Sequence, residues 1–265
     1  MSDYIIGDVQ GCYDALTSLI KKINFKTDKD RLFFLGDVVN RGNKSLQTLR
    51  LIKDLGENAK MILGNHDFHL LACALTDKKA NKKDTFGDIL SANDKLPLID
   101  FLLQQPLSLV HQGAVLVHAG VPPSWGIELL SQQSLAVQKR LQSENAGQFI
   151  ANMYHDQPRT WSPELIEDDA CRYTVNALLR MRFCSENDTL EFAHKLNYDT
   201  APKGFKAWFL HENRALKKTD IFFGHWSALS GVDKKHIYPL DSGCIWGGAL
   251  SAFMVDQKRL FKVHC

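Results

Sequence analysis

The chain has 265 residues, 45% of them hydrophobic, and a formal net charge of +2. That length and apolar content suffice for one large core or two small ones, and so small a net charge excludes the global basic field that drives nucleic-acid binding. No run of 18 apolar residues occurs, and no basic segment leads into an apolar stretch at the start, which argues against a membrane span or a signal peptide.

The first apolar run, Tyr4–Ile6, reads as a strand and leads into Gly7-Asp8-Val9-Gln10-Gly11. Ala15–Ile23 carries leucine and isoleucine at helical spacing, and Arg31–Leu35 reads as the second strand. It runs into Gly36-Asp37-Val38-Val39-Asn40-Arg41-Gly42, followed by a second helical pattern at Ser45–Leu55. The third strand, Ala59–Leu63, meets Gly64-Asn65-His66-Asp67. Strand, helix, strand in short units implies a largely parallel arrangement. Lysine-dense Asp77–Asp84 reads as a solvated loop. Strands are expected at Leu107–Val110 and Ala114–Val117, the latter ending at His118-Ala119-Gly120.

From about Ile127 to Thr200 the pattern is mostly helical and irregular, with Pro158, Pro163 and Pro202 as punctuation. Strands return at Asp220–Phe223, which ends at Gly224-His225, and at Ile237–Leu240. Ala249–Val255 and Arg259–Val263 read as a hairpin. No repeat or linker interrupts the chain, so one domain is expected over residues 1–265, with a mostly helical insertion at about 127–202. The cysteines (Cys12, Cys73, Cys171, Cys184, Cys244 and Cys265) form no CxxC pair and read as reduced thiols of a cytoplasmic protein.

The residues just past each strand carry the chemistry. A lone Gly-Asp is usually a turn or a helix cap, and a lone buried histidine is usually a core residue. Here strand after strand delivers a metal-compatible or acid–base side chain beside a glycine. In parallel sheets such loops share the carboxyl edge, where ligands bind, and glycine lets the backbone approach a phosphate closely.

The ordered motifs GDVQG, GDVVNRG, GNHD, VHAG and GH resemble those of the calcineurin-like metallophosphoesterases. MYHDQPRTWSPEL, NALLRMRFC, KAWF, FGHWSALSG and LDSGCIWGG resemble the symmetrical bis(5'-nucleosyl)-tetraphosphatases within that superfamily. The resemblance implies an α/β metallophosphoesterase fold: two mixed sheets packed as a sandwich, flanked by helices. It makes Asp37 the carboxylate that bridges two divalent ions, with Asp8 and Gln10 on the first ion and Asn65, His118 and His225 on the second. Oxygen and imidazole donors without thiolate suit manganese, iron, cobalt or zinc, and the resemblance implies manganese or cobalt among them. The implied reaction is attack by a metal-bridging hydroxide on diadenosine 5',5'-tetraphosphate, giving two ADP.

By the same resemblance Arg41 clamps phosphate, its planar fork gripping two oxygens. Arg180 and Arg182 are a second candidate clamp, of which only one reaches phosphate if the segment is helical, since i, i+2 residues do not share a helix face. His66 is the general acid. Related protein phosphatases carry an aspartate where Asn40 stands. The amide is tolerable if the leaving group is a stable phosphate anion, so Asn40→Asp is expected to favour phosphomonoester hydrolysis over anhydride cleavage. Asp67, beside His66, is expected to compensate in part. Among Trp161, Trp208, Trp226 and Trp246, Trp226 next to His225 is the expected adenine platform. A monomer acting on dinucleoside polyphosphates, and on RNA 5' ends with a nucleoside-tetraphosphate cap, completes the reading. Its competitors are a protein serine/threonine phosphatase and a catalytically inactive nucleotide-binding protein.

Overall fold

The computed structural model describes residues 2–265. Two compact units are present, one formed by the chain up to Gln105 together with Leu240–Cys265, the other by Pro106–Pro239.

The first unit begins with β1 (Asp3–Ile6), α1 (Tyr13–Lys22), β2 (Arg31–Phe34), α2 (Ser45–Asp54), β3 (Ala59–Met61) and α3 (Asn65–Leu75), then α4 (Gly87–Leu90) and α5 (Lys95–Leu103). The second unit contains β4 (Ser108–His111), β5 (Ala114–Val117), α6 (Ile127–Leu141), α7 (Ala146–Asn152), α8 (Glu167–Arg180), β6 (Phe183–Cys184), β7 (Leu190–Glu191), β8 (Lys206–Ala207), β9 (Ile221–Phe223) and β10 (Ile237–Pro239). The chain then returns to the first unit for β11 (Ala249–Met254) and β12 (Arg259–His264).

The first unit's sheet has the order β12-β11-β1-β2-β3. Its β1, β2 and β3 run parallel, while β11 pairs antiparallel with β1 and forms the expected hairpin with β12. β1 reads as an unbroken buried run, as a central strand covered on both faces must. The alternating burial of β12 marks an edge with one face toward solvent. Helix α1 buries Ala15, Leu16 and Leu19 and packs on β11 and β12. Helix α2 buries Ser45, Thr48, Leu49 and Ile52, the i, i+3, i+4, i+7 stripe that its sequence spacing dictates.

The second unit holds a mixed sheet of order β10-β9-β5-β4. Here β5, β9 and β10 are parallel and β4 antiparallel. Helix α8 is buried from Tyr173 to Leu179 and packs against α6. The helical reading of residues 127–202 stops at Arg180, because β6, β7 and β8 form a small antiparallel sheet beyond it. Strands of two residues are too short to show any period.

The exit loops of the first unit are stitched together by backbone. Gln10 N–H donates to Asp37 O at 2.7 Å, Gly11 N–H to Val38 O at 3.0 Å, and Gly42 N–H to Gln10 O at 2.8 Å. Asp67 adds a charged anchor. Fully buried at the third position of α3, it accepts Val38 N–H at 3.0 Å, Val39 N–H at 3.4 Å and Gly64 N–H at 2.9 Å. Its carboxylate therefore ties the loop after β2 to the start of α3, and the expectation that it compensates at His66 is replaced by this role.

The cysteine reading is corrected at two positions. Cys244 and Cys265 form a disulfide, with Cα atoms 5.3 Å apart. They lie 21 residues apart, brought together because the β11–β12 hairpin returns the last residue beside the start of β11. Cys12, Cys73, Cys171 and Cys184 are free.

Asp67→Ala removes an acceptor from three buried amides and should lower stability by about 3 kcal/mol. An unchanged midpoint in urea denaturation would contradict the anchoring role. Thiol titration of the denatured, unreduced protein should count the four free cysteines and not all six.

Candidate metal centre

In each unit the parallel strands deliver their functional residues at the carboxyl edge. In the first unit these are Asp8 after β1, Asp37 and Asn40 after β2, and Asn65 and His66 at the start of α3. Asp8 and Asp37 are buried, at 4% and 1% exposure. One carboxylate oxygen of each lies within 4.8 Å of the other. Two buried carboxylates so close repel each other unless a cation lies between them or a proton is shared.

Backbone geometry is unusual at this edge. Gln10, Asp37, Asn40 and Arg41 adopt φ of 48°, 49°, 76° and 64°, the left-handed region that non-glycine residues seldom enter. Each such residue costs on the order of 1 kcal/mol, and such strain concentrates where a loop must aim side chains at one point. Gly64 closes the arrangement: a methyl group on its Cα would overlap the Asp37 carboxylate. That carboxylate accepts the His66 N–H at 2.7 Å through Oδ1, and His66 Nε2 lies 3.8 Å from Oδ2.

Asn40 is completely buried. Its Nδ2 lies 3.1 Å from His66 Nδ1 and 2.9 Å from Asp84 Oδ1. Asp84 therefore stands directly behind Asn40, with its side chain only 2% exposed. The charged run Asp77–Asp84 thus ends inside the protein and not in solvent. A carboxylate introduced at position 40 would face that of Asp84, so Asn40→Asp alone no longer leads to a gain in phosphomonoester hydrolysis.

Arg41 comes next in the same loop, half-buried, with its backbone N–H on Asn40 Oδ1 at 2.8 Å and Nη1 on Lys83 O at 3.3 Å.

In the second unit, His118 stands after β5 and His225 after β9, adjacent parallel strands. Their ring centroids are 5.2 Å apart, and Gly224 N–H donates to His118 O at 2.9 Å. His118 is fully buried, and His225 takes φ 64°. Both arginines of the RMR motif lie beside His225. Arg182 Nη2 donates to His225 O at 3.2 Å, and Arg180 offers its carbonyl to His225 Nε2 at 3.2 Å. The Arg180 guanidinium pairs with Asp156 at 3.0 Å and rests over the Phe192 ring. Helix α8 ends between the two arginines, so Arg180 is its last residue while Arg182 lies in extended chain beyond the Met181 cap.

The tryptophan expectation is overturned. Trp226 is 1% exposed, its Nε1 donates to Leu196 O at 3.0 Å, and its ring meets the Phe183 edge at 4.8 Å. It is a core residue with no face for a base. Trp208 is equally buried, against Gly120, and Trp161 packs on Trp125. Trp246 alone of those four projects into solvent, at 73% exposure between two left-handed glycines.

The free thiols take no part. Burial pushes the Cys12, Cys73 and Cys184 thiols up and that of Cys171 to about 11, so they stay protonated at neutral pH. Carboxylate, amide and imidazole donors without thiolate fit hard or borderline divalent ions.

Residues 4–226 match the family model described as calcineurin-like phosphoesterase. The chain is 42% identical over 268 residues to the "Bis(5'-nucleosyl)-tetraphosphatase, symmetrical" of Marinomonas sp. (strain MWYL1), covering 100% of this chain and 98% of the relative. It is 43% identical over 263 residues to the protein of that name from Vibrio cholerae, covering 98% and 97%. Among solved structures, a protein serine/threonine phosphatase from Saccharomyces cerevisiae shares the fold with a TM-score of 0.57 at 15% identity, covering 100% of this chain and 79% of that one. By sequence and fold together, this chain belongs to the calcineurin-like phosphoesterases and, within them, to the family of the symmetrical bis(5'-nucleosyl)-tetraphosphatases.

Proposed function

We propose that the chain hydrolyses diadenosine 5',5'-tetraphosphate symmetrically to two ADP, with both units serving one metallophosphoesterase domain. The observation that carries this reading is full-length identity near 42% to relatives named for that reaction, joined to the donor residues at the carboxyl ends of the parallel strands in each unit.

Asp8, Asp37 and Gln10 would hold one divalent ion, and Asp37, Asn65, His118 and His225 the other. Manganese or cobalt is the proposed metal, given the oxygen-rich donor set. Two such ions, when bound, would supply an activated water and neutralise phosphoryl charge. The remaining work belongs to side chains. Asp37, whose Oδ1 accepts the His66 amide N–H, would offer its carboxylate to the cations. Arg41, on a loop held in the left-handed region, presents its fork to the polyphosphate. Arg182 and Arg180 would extend the cationic track beside His225. His66 would serve the departing oxygen.

Bond changes are simple. Water oxygen bonds to one inner phosphorus, the central P–O bond breaks, and its electron pair leaves on the bridging oxygen, now the terminal oxygen of the second ADP. The same chemistry would open a nucleoside-tetraphosphate cap on RNA. We read the enzyme as a monomer, and as cytoplasmic, where nucleotides are made. Among the described residues, no helix is long and apolar enough to cross a membrane. The amide of Asn40, in place of the protein phosphatases' aspartate, disfavours the serine/threonine phosphatase reading.

Chromatography of a reaction with diadenosine tetraphosphate should show ADP as sole product. AMP plus ATP would refute symmetric cleavage, and faster turnover of p-nitrophenyl phosphate than of the dinucleotide would favour the phosphatase. Dialysis against a chelator should abolish activity and manganese should restore it. Asp37→Asn should lower kcat by at least about 100-fold, and a smaller effect would remove Asp37 from its bridging place.

A further inference from the structure

The carboxamide of Asn40 is oriented without ambiguity. Its Oδ1 accepts the backbone N–H of Arg41 at 2.8 Å and of Thr85 at 3.0 Å. Both partners can only donate, so the oxygen must face them and the amide cannot be flipped. Nδ2 is thereby turned to Asp84 Oδ1 at 2.9 Å and to His66 Nδ1 at 3.1 Å. It has two hydrogens, one for each. A carboxylate accepts the first, and the second requires a lone pair on His66 Nδ1. The proton of the neutral ring then sits on Nε2, the nitrogen on the Asp37 side.

Asp84 is itself held in place. Its Oδ2 accepts the Asn81 N–H at 2.6 Å and lies 2.8 Å from His69 Nε2. Burial pushes its carboxyl up, but hydrogen bonds from Asn40, His69 and the Asn81 amide outweigh that and leave it below the usual range. The carboxylate stays ionised and keeps accepting.

We propose that Asp84 is a positioning residue that acts through the Asn40 amide to fix His66 as a hydrogen-bond donor at Nε2 with an accepting Nδ1, which suits the site to phosphoanhydrides and not to phosphomonoesters. A ring whose Nδ1 accepts has no second proton to give. It offers the leaving oxygen a hydrogen bond, enough for a departing phosphate anion and too little for a departing alkoxide. A carboxylate directly on Nδ1 would hold a proton there and leave the ring able to deliver its other one. The amide interposed at position 40 reverses the polarity. This rests on the proposed placement of His66 at the departing oxygen, and it replaces the general-acid role by a neutral donor.

The test uses the full chain labelled with 15N-histidine, metal-free and loaded with diamagnetic zinc, at about pH 8, above the ordinary imidazole range near 6.5. His66→Gln assigns the signals. Nδ1 of His66 should show the shift of an unprotonated nitrogen and Nε2 that of a protonated one; a proton on Nδ1 overturns the proposal. Asp84→Ala should blur this contrast and lower kcat on diadenosine tetraphosphate by about 10-fold, with KM unchanged. If that variant fails to fold, the exchange Asn40→Asp with Asp84→Asn keeps the hydrogen-bond complement with its order reversed. It should place a proton on Nδ1 and raise phenyl phosphate hydrolysis relative to the dinucleotide by about 10-fold, while Asn40→Asp alone, with two carboxylates face to face, loses both activities. Equal changes on both substrates in the exchanged protein would sink the proposal. Should His66→Gln leave dinucleotide turnover intact, the placement of His66 fails while the spectrum still judges the Asp84–Asn40 relay.

Discussion

The buried carboxylate of Asp67 takes three backbone N–H groups from two separate segments, Val38 and Val39 after β2 and Gly64 before α3. Charge-assisted bonds in a water-free setting are among the stronger ones available, and they join loops that carry different parts of the chemistry. With that junction in place, the His66 amide meets Asp37, the His66 ring meets Asn40, and Gly64 lies so close to Asp37 that no side chain fits. The backbone links between Gln10, Asp37 and Gly42 extend the same logic to the loop after β1.

Half of the ten described non-glycine residues at positive φ lie in the loops that carry the donors. Gln10, Asp37, Asn40, Arg41 and His225 all sit at positive φ without being glycine. A loop relaxed into ordinary conformations would turn these side chains elsewhere, so the stability of the flanking sheets and helices is what holds the geometry. The sheets do this in the same way in both units: parallel neighbours end level, and each end hands its next residues to a common edge.

Much of this was legible in the sequence, because a strand leading into Gly and a donor is a local pattern. Asp8, Asp37, Asn65, His118 and His225 stand where that pattern puts them, and most strand limits shift by only a residue or two. What escaped was set by long-range contact. Asp84 looked solvated because it closes a lysine-dense run, yet its own side chain is sealed behind Asn40. Trp226 borders a donor in sequence while facing the core. The β6–β8 sheet has strands too short to carry a period, and Cys244 meets Cys265 only through a hairpin return.

Symmetric attack at an inner phosphorus is the central claim, and isotope placement tests it most directly. Hydrolysis of diadenosine tetraphosphate in water enriched in 18O should leave one label in the terminal phosphate of one of the two ADP molecules formed, and in no other product. Label recovered in AMP, ATP or inorganic phosphate would contradict it.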